Sequence, residues 1–300
     1  MYKLLLIGCF TSWRNNTSCE FFSDEFAKRF SKLPVSLIKH HFNDPAFPEA
    51  DIALIHAYDS TEAVQQVSEI KKKVKKVVLF MEEPKYELGF DHCYFYNQKF
   101  IHGNKGTYIR IPLAKDQYEM VPKEPGSILL DHDCQLFPDH GISGHDWTER
   151  LWAFFEKNKQ YRPVYQLERG NVKHPDFIKK LSIQSHQDYL SATAHIETFV
   201  CTHAGKYNHT AVDMAVRGSK VIVPMVPGTF HNTFVPECLV RDLNMALILN
   251  EQQLGAALNL IKTGSRRDRP AIDMATDLDE VVSIMDRDFK SWTRKKIVLP

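Results

Sequence analysis

The sequence has almost no charge of one sign to spare: 38 Lys and Arg stand against 37 Asp and Glu, for a formal net charge of +1 and a pI near 7.7. That balance gives no bulk pull toward nucleic acid or an anionic membrane, so partners must be argued from individual sites. Long apolar runs are also missing. Leu4, Leu5, Leu6 and Ile7 follow closely on Met1, but the run is far shorter than the roughly 20 apolar residues of a membrane span, and it reads as a first strand. The six cysteines, Cys9, Cys19, Cys93, Cys134, Cys201 and Cys238, show no C-x-x-C spacing and read as reduced thiols, which sets the expectation of a cytoplasmic protein. After the first strand, Gly8-Cys9-Phe10-Thr11-Ser12 lacks the further glycines of a dinucleotide fingerprint, which speaks against a nicotinamide or flavin enzyme. Internal repeats and low-complexity tracts are absent.

What is present is an alternation of short apolar runs and helical periodicity. A chain of 300 residues with 43% hydrophobic content is long enough for two domains, each with its own core. Strands are expected at 3–8, 35–39, 51–56, 77–81, 93–96 and 108–111, with helices at 21–30 and 61–74, the second capped by Ser60. This is the pattern of a doubly wound α/β domain. The stretch 117–126, with Pro122 and Pro125, reads as a linker. Beyond it strands are expected at 127–130, 163–167, 181–184 and 220–224, with others ending at Cys201 and spanning 246–249. Helices are expected at 147–157, 176–180, 186–194, 251–261 and 273–292. The expected domains are 1–118 and 124–275, followed by a terminal helical segment, 276–300. The lysines at 71, 72, 73, 75 and 76 read as the solvated C-terminal end of a helix, where cations suit the dipole, and no aromatics interleave them to stack bases.

The stretch 198–223 organises the second half. An apolar strand ends at Cys201, a polar corner runs from Thr202 to His209, and a helix follows with Ala211, Met214 and Ala215 turned inward and Gly218 as its left-handed cap. A second β-branched run from Lys220 completes a strand–helix–strand unit, whose right-handed crossover implies parallel strands. The corner presents free backbone N–H groups at a helix N-terminus, where a phosphate is held, and Asp213 stands one turn further in, within reach of a ribose. Elsewhere, Glu82-Glu83-Pro84 closes the strand ending at Met81, and carboxylates at the C-terminal edge of a parallel sheet are candidate general bases. Asp131-His132-Asp133 follows another apolar strand. Two readings stay open there: a loop lining a ligand cleft, or carboxylates and histidine around a divalent or transition metal.

The segment carrying His203, Gly205, Asn208, Thr210, Asp213 and Gly218 resembles the donor site of glycosyltransferases of the GT-B fold, with Asp213 standing where that family has Glu. The resemblance implies an α/β chain of two Rossmann-like domains facing across a cleft. It implies that Asp213 binds ribose hydroxyls and that the turn through His203, Gly205, Tyr207, Asn208 and Thr210 holds the pyrophosphate. The order of the segment 183–190 matches the family's base-holding loop, which implies Gln184 and Ser185 at the base edge. His231 and Asn232 would then approach the donor sugar, and His132 or Asp133 would contact the donor from below. The stretch from Glu82 to Ala114 is faintly similar to the acceptor domain of α-1,3-fucosyltransferases, which points to Glu82 or Glu83 as the base. The terminal helix would return to the first domain.

The expected activity is a hexosyltransferase-like transfer from a nucleotide sugar to an acceptor hydroxyl. The donor is a co-substrate, no separate cofactor is expected, and a metal is not favoured. The acceptor is open among glycan, lipid-linked saccharide, small molecule, protein and modified nucleic-acid base. A GT-B-like sugar-nucleotide epimerase and a non-catalytic sugar-nucleotide-binding protein are the alternatives.

Overall fold

A computed structural model of the chain describes residues 1–10, 17–44, 46–56, 62–81, 84–96, 101, 105–110, 112–119, 121–131, 144–168, 173–202, 209–224, 245–248, 252–263 and 276–294. The chain divides into two compact units: Met1–Lys115 together with the segment that opens at Thr276, and Asp116–Ala275.

In the first unit six parallel strands, β1 (Lys3–Gly8), β2 (Ser36–His41), β3 (Ala50–Ile55), β4 (Val74–Met81), β5 (His92–Phe95) and β6 (Thr107–Tyr108), lie in the order β2-β1-β3-β4-β5-β6. The central strands are continuous apolar runs because both faces are covered; Leu4, Leu5, Leu6 and Ile7 are all fully buried. On one face Leu5, Ile7, Ala53, Ile55, Val77 and Leu79 pack with Val64 of α2 (Glu62–Gln65) and with Val67 and Ile70 of α3 (Val67–Lys71). On the other, Phe26 of α1 (Thr17–Phe30) meets Phe80 edge-on at 5.0 Å. At the end of β1 only glycine fits. A Cβ on Gly8 would lie 2.3 Å from Ser23 Oγ, the atom that accepts the Cys9 N–H at 3.1 Å and so seats α1 on the strand end.

The terminal helix α8 (Leu278–Thr293) belongs to this first unit. Its Phe289 stacks on Phe30 at 6.1 Å and meets Tyr2 edge-on at 5.9 Å. Two buried phenols anchor it through carboxylates: Tyr2 donates to Asp286 at 2.9 Å and Tyr94 to Asp288 at 2.7 Å. Just before the helix, β14 (Thr276–Asp277) pairs in parallel with β7 (Pro112–Leu113).

The second unit is a second parallel sheet. β8 (Glu124–Leu130), β9 (Val164–Leu167), β10 (Ile178–Leu181), β11 (Ile196–Val200), β12 (Lys220–Pro224) and β13 (Met245–Ile248) lie in the order β10-β9-β8-β11-β12-β13. Alternation divides its core. Ile128 and Leu130 face α4 (Gly144–Lys157) and α7 (Gln252–Thr263) through Leu151, Phe155, Leu254 and Leu258. Leu129, Phe199 and Val221 face the opposite way, onto Ala211, Met214 and Ala215 of α6 (His209–Val216). α5 (His186–Thr193) connects β10 to β11.

Several local expectations are corrected. The helix expected at 176–180 and the strand at 181–184 are replaced by one strand, Ile178–Leu181, in register with β9. Pairing with β9 satisfies the backbone groups of this segment along the sheet ladder. The helix expected at 61–74 is two short helices, and β4 starts at Val74 rather than at 77. β8 starts at Glu124, inside the expected linker. The strand expected at 108–111 is cut to Thr107–Tyr108. Ser60 lies outside the described residues.

Candidate functional site

In an open parallel sheet, ligands bind beyond the carboxyl ends of the strands, where successive connections diverge to opposite sides. In the second unit the strands run 3-2-1-4-5-6 in their own chain order, so that point lies between the ends of β8 and β11. The residues there are polar and buried: Asp131 after β8 is 1% exposed and Thr202 after β11 fully buried. The end of β8 is held by its neighbour β9. Gln166, fully buried, donates its amide to the Asp131 carbonyl at 3.1 Å and accepts from the Trp152 indole N–H at 2.8 Å. At the matching end of β10, Ser185 caps α5 by accepting the Asp188 N–H at 3.1 Å, and Gln184 is exposed, donating to Ser182 at 3.3 Å. Thr210 is half-buried in the first turn of α6.

Asp213 is buried, at 5% exposure, and heavily engaged. Its Oδ2 accepts the Tyr189 hydroxyl at 2.6 Å and the Arg217 guanidinium at 3.2 Å, and the carboxylate also takes a hydrogen bond from the Tyr118 hydroxyl. Arg217, 2% exposed, donates further to Thr193 Oγ1 at 2.8 Å and to the Leu190 carbonyl, tying α6 to α5. Three donors occupy three of the roughly four lone-pair positions of a carboxylate. Burial, and then the Asp213 charge, push the Tyr189 and Tyr118 phenols well above their ordinary range. Lys123, which donates to the Ala194 carbonyl at 2.7 Å, is lowered to about 8 by burial and by Arg217. Burial lowers His186, half-buried in the first turn of α5, to about 4, so its imidazole is neutral at pH 7. The sequence reading gave no role to Arg217, Tyr118 or Lys123. Only Arg217 carried a signal, as the cation four residues after Asp213 on an otherwise apolar helix.

In the first sheet the corresponding point lies between β1 and β3, and there His56 follows β3. Its ring lies 5.4 Å from that of Phe22, 6.2 Å from Phe26 and 5.7 Å from Phe80, and burial lowers it to about 4.

No family model and no curated protein matches the chain. Solved structures do. The glycosyltransferase AviGT4, involved in avilamycin A biosynthesis, superposes with a TM-score of 0.59 over 97% of each chain at 10% identity. An α-glucosyltransferase in complex with UDP and a 13-mer DNA containing an HMU base gives 0.56 at 11% identity, over 97% of this chain and 99% of that one. The UDP-GlcNAc 2-epimerase of Methanocaldococcus jannaschii, in complex with UDP-GlcNAc and UDP, gives 0.59 at 10% identity, over 95% and 99%. The chain has the GT-B fold.

Four of the residues expected to bind a donor belong to the described part of the second unit. These are Gln184 and Ser185, on the turn leading into α5, and Thr210 and Asp213, on α6. Glu82, Glu83, His132, Asp133, His203, Gly205, Tyr207, Asn208, His231 and Asn232 lie outside the described residues. Among the described residues no group of three His, Cys, Asp or Glu is arranged to hold a metal, and no helix is long and apolar enough to cross a membrane.

Proposed function

We propose that this chain transfers a sugar from a nucleotide-sugar donor to an acceptor hydroxyl. The observation that carries the reading is the polar divergence point of the second sheet, at the ends of β8 and β11, in a chain that has the GT-B fold over nearly its whole length. In this reading the base edge of the nucleotide meets Gln184 and Ser185, and Asp213 accepts a ribose hydroxyl at its remaining lone pair. The corner from His203 to Thr210 holds the diphosphate through backbone N–H groups preorganised for the charge that grows on the leaving oxygen. His231 and Asn232 hold sugar hydroxyls, and His132 or Asp133 lines the donor from the β8 side. Glu82 or Glu83 removes the acceptor proton as the acceptor oxygen bonds to the anomeric carbon. The bond from that carbon to the diphosphate breaks, and the nucleoside diphosphate leaves with its electron pair.

A second reading has a specific observation behind it: the UDP-GlcNAc 2-epimerase superposes as well as the transferases do. Epimerase chemistry would use the same donor half without an acceptor. The neighbour solved with modified DNA keeps a nucleic-acid base among the acceptor classes, although a net charge of +1 favours the others. Incubation with a panel of nucleotide sugars separates the readings. Acceptor-dependent release of nucleoside diphosphate supports transfer, acceptor-free turnover supports the epimerase, and binding without turnover leaves a sugar-nucleotide-binding protein. Failure of every nucleotide sugar to bind would overturn all three.

A further inference from the structure

We infer that the amino-terminal edge of the second sheet holds a separate site for a small phosphorylated polyol. A cavity of about 490 Å³ opens there, lined by Glu156, Lys159, Arg162, Pro175, Asp176 and Phe177 together with Lys173 and His174. Its walls come from two segments: the end of α4 with the connection that leads on to β9, and the approach to β10. They lie at the opposite end of the strands from the β8–β11 divergence point, a separation of roughly 13 Å for a four-residue strand.

The chemistry of the lining selects the ligand. Arg162 is held rigidly: its two terminal nitrogens donate to the Phe177 carbonyl at 3.4 Å and the Phe155 carbonyl at 3.2 Å, and its guanidinium lies 4.0 Å from the centre of the Phe177 ring. Its Nε is buried and has no hydrogen-bond partner among the described residues. A donor withdrawn from water without an acceptor is destabilising, and a ligand oxygen that reached this nitrogen would offset that loss. Lys159 and Lys173, both exposed, make no ion pair among the described residues, so one free ammonium from the α4–β9 connection and one from the β9–β10 connection, beside the Arg162 guanidinium, can meet a phosphate. Glu156 and Asp176 are also free of ion pairs among the described residues. Beside a bare phosphate they would only repel, but they are natural acceptors for the hydroxyl groups of an attached polyol. Pro175 and Phe177 supply an apolar wall for its C–H face. Cations, hydroxyl acceptors and an apolar wall in one cavity match the polarity of a hexose monophosphate better than that of inorganic phosphate.

The inference does not rest on the transfer reading and survives its failure. Calorimetric titration of the full chain with glucose 6-phosphate, glucose and inorganic phosphate tests it. Glucose 6-phosphate is expected to bind one to one, at least tenfold more tightly than inorganic phosphate, with glucose silent. The variant Lys159→Gln/Lys173→Gln changes only exposed side chains, and an unchanged circular dichroism spectrum checks that it folds. It should lose at least tenfold in affinity, and saturating UDP should leave the wild-type titration unchanged. Absence of binding, equal affinity for inorganic phosphate, full affinity in the double variant, or displacement by UDP would each overturn the proposal.

Discussion

The phenol of Tyr189 donates to Oδ2 of Asp213 at 2.6 Å, across 24 positions of sequence and between two helices, and Arg217 meets the same oxygen at 3.2 Å. A buried carboxylate with a buried cation and two phenols is stable only as a complete set, because the loss of one partner strands the others out of water. Arg217→Met should therefore cost about 3–5 kcal/mol, the usual loss when one member of a buried pair is removed. Tyr189→Phe, which removes one neutral donor, should cost only about 1–2 kcal/mol. Urea denaturation of the two variants measures the ratio, and equal losses would show that Asp213 is not the centre of the cluster.

The same cluster complicates the proposed ribose contact, and one substitution separates the two roles. Asp213→Asn keeps the shape and one accepting oxygen but removes the charge that Arg217 pairs with. If Asp213 also holds the ribose, donor affinity should fall by about 1–3 kcal/mol at temperatures where the variant is fully folded. Unchanged donor affinity in a folded but less stable variant would confine Asp213 to the α5–α6 junction.

Some of this was legible in the sequence and some was not, for physical reasons. β1 and the buried stretches 52–55 of β3 and 77–80 of β4 announce themselves because strand segments buried on both faces are apolar runs, whereas the start of β4, with Lys75 exposed, does not. The edge strand β10 does not: Lys179 and Lys180 are exposed, and only pairing with β9 makes the segment a strand. The position of Asp213 on the helix after the corner could be read from spacing. Its partners Tyr189 and Tyr118 could not, since contacts made across helices and from a linker leave no periodic trace.

Acid stability should depend on a histidine the sequence did not single out, alongside His186, which is lowered into the same range. His56 is 8% exposed, and its folded pKa of about 4 lies below the ordinary value of 6.5. The unfolded chain therefore binds a proton first as the pH drops. Above pH 6.5 both states are neutral and nothing is lost; between about 6.5 and 4 stability falls, by on the order of 3 kcal/mol in total, and below 4 the loss levels off. Asp51, held below the ordinary carboxylate range mainly by Lys75, loses its contribution only further down. Urea midpoints of the wild type and His56→Gln, compared from pH 7 to pH 4, should converge as the pH falls; parallel curves would show that His56 carries no such linkage.

The junction of β1 and α1 gives a test of close packing. In Gly8→Ala the new methyl carbon would lie 2.3 Å from Ser23 Oγ and 2.9 Å from Ser23 Cβ, so rotating the hydroxyl away does not relieve the clash and α1 must shift. Overpacking of this kind costs about 1–3 kcal/mol. The expected result is a lowered melting temperature, and Gly8→Ala/Ser23→Ala should recover only part of it, because the Cys9 N–H then loses its acceptor. A Gly8→Ala variant as stable as the wild type would mean that the helix seats with slack.

The catalytic half of the proposal turns on two carboxylates at the end of β4. If one of them is the base, its replacement by the isosteric amide should leave donor affinity unchanged while kcat falls by about 10²–10⁴-fold, the usual contribution of a positioned proton acceptor. Glu82→Gln and Glu83→Gln made separately assign the role, since only the base should show the large fall, and only the base should remove the acidic limb of the pH–rate profile. The alternative in which Asp131, His132 and Asp133 hold an activating divalent ion predicts instead that excess EDTA abolishes turnover in the wild type. Full activity in EDTA, together with one inactive amide variant that still binds donor, would favour proton abstraction by that glutamate. Two fully active amide variants would leave the first unit without a base and favour chemistry that needs none.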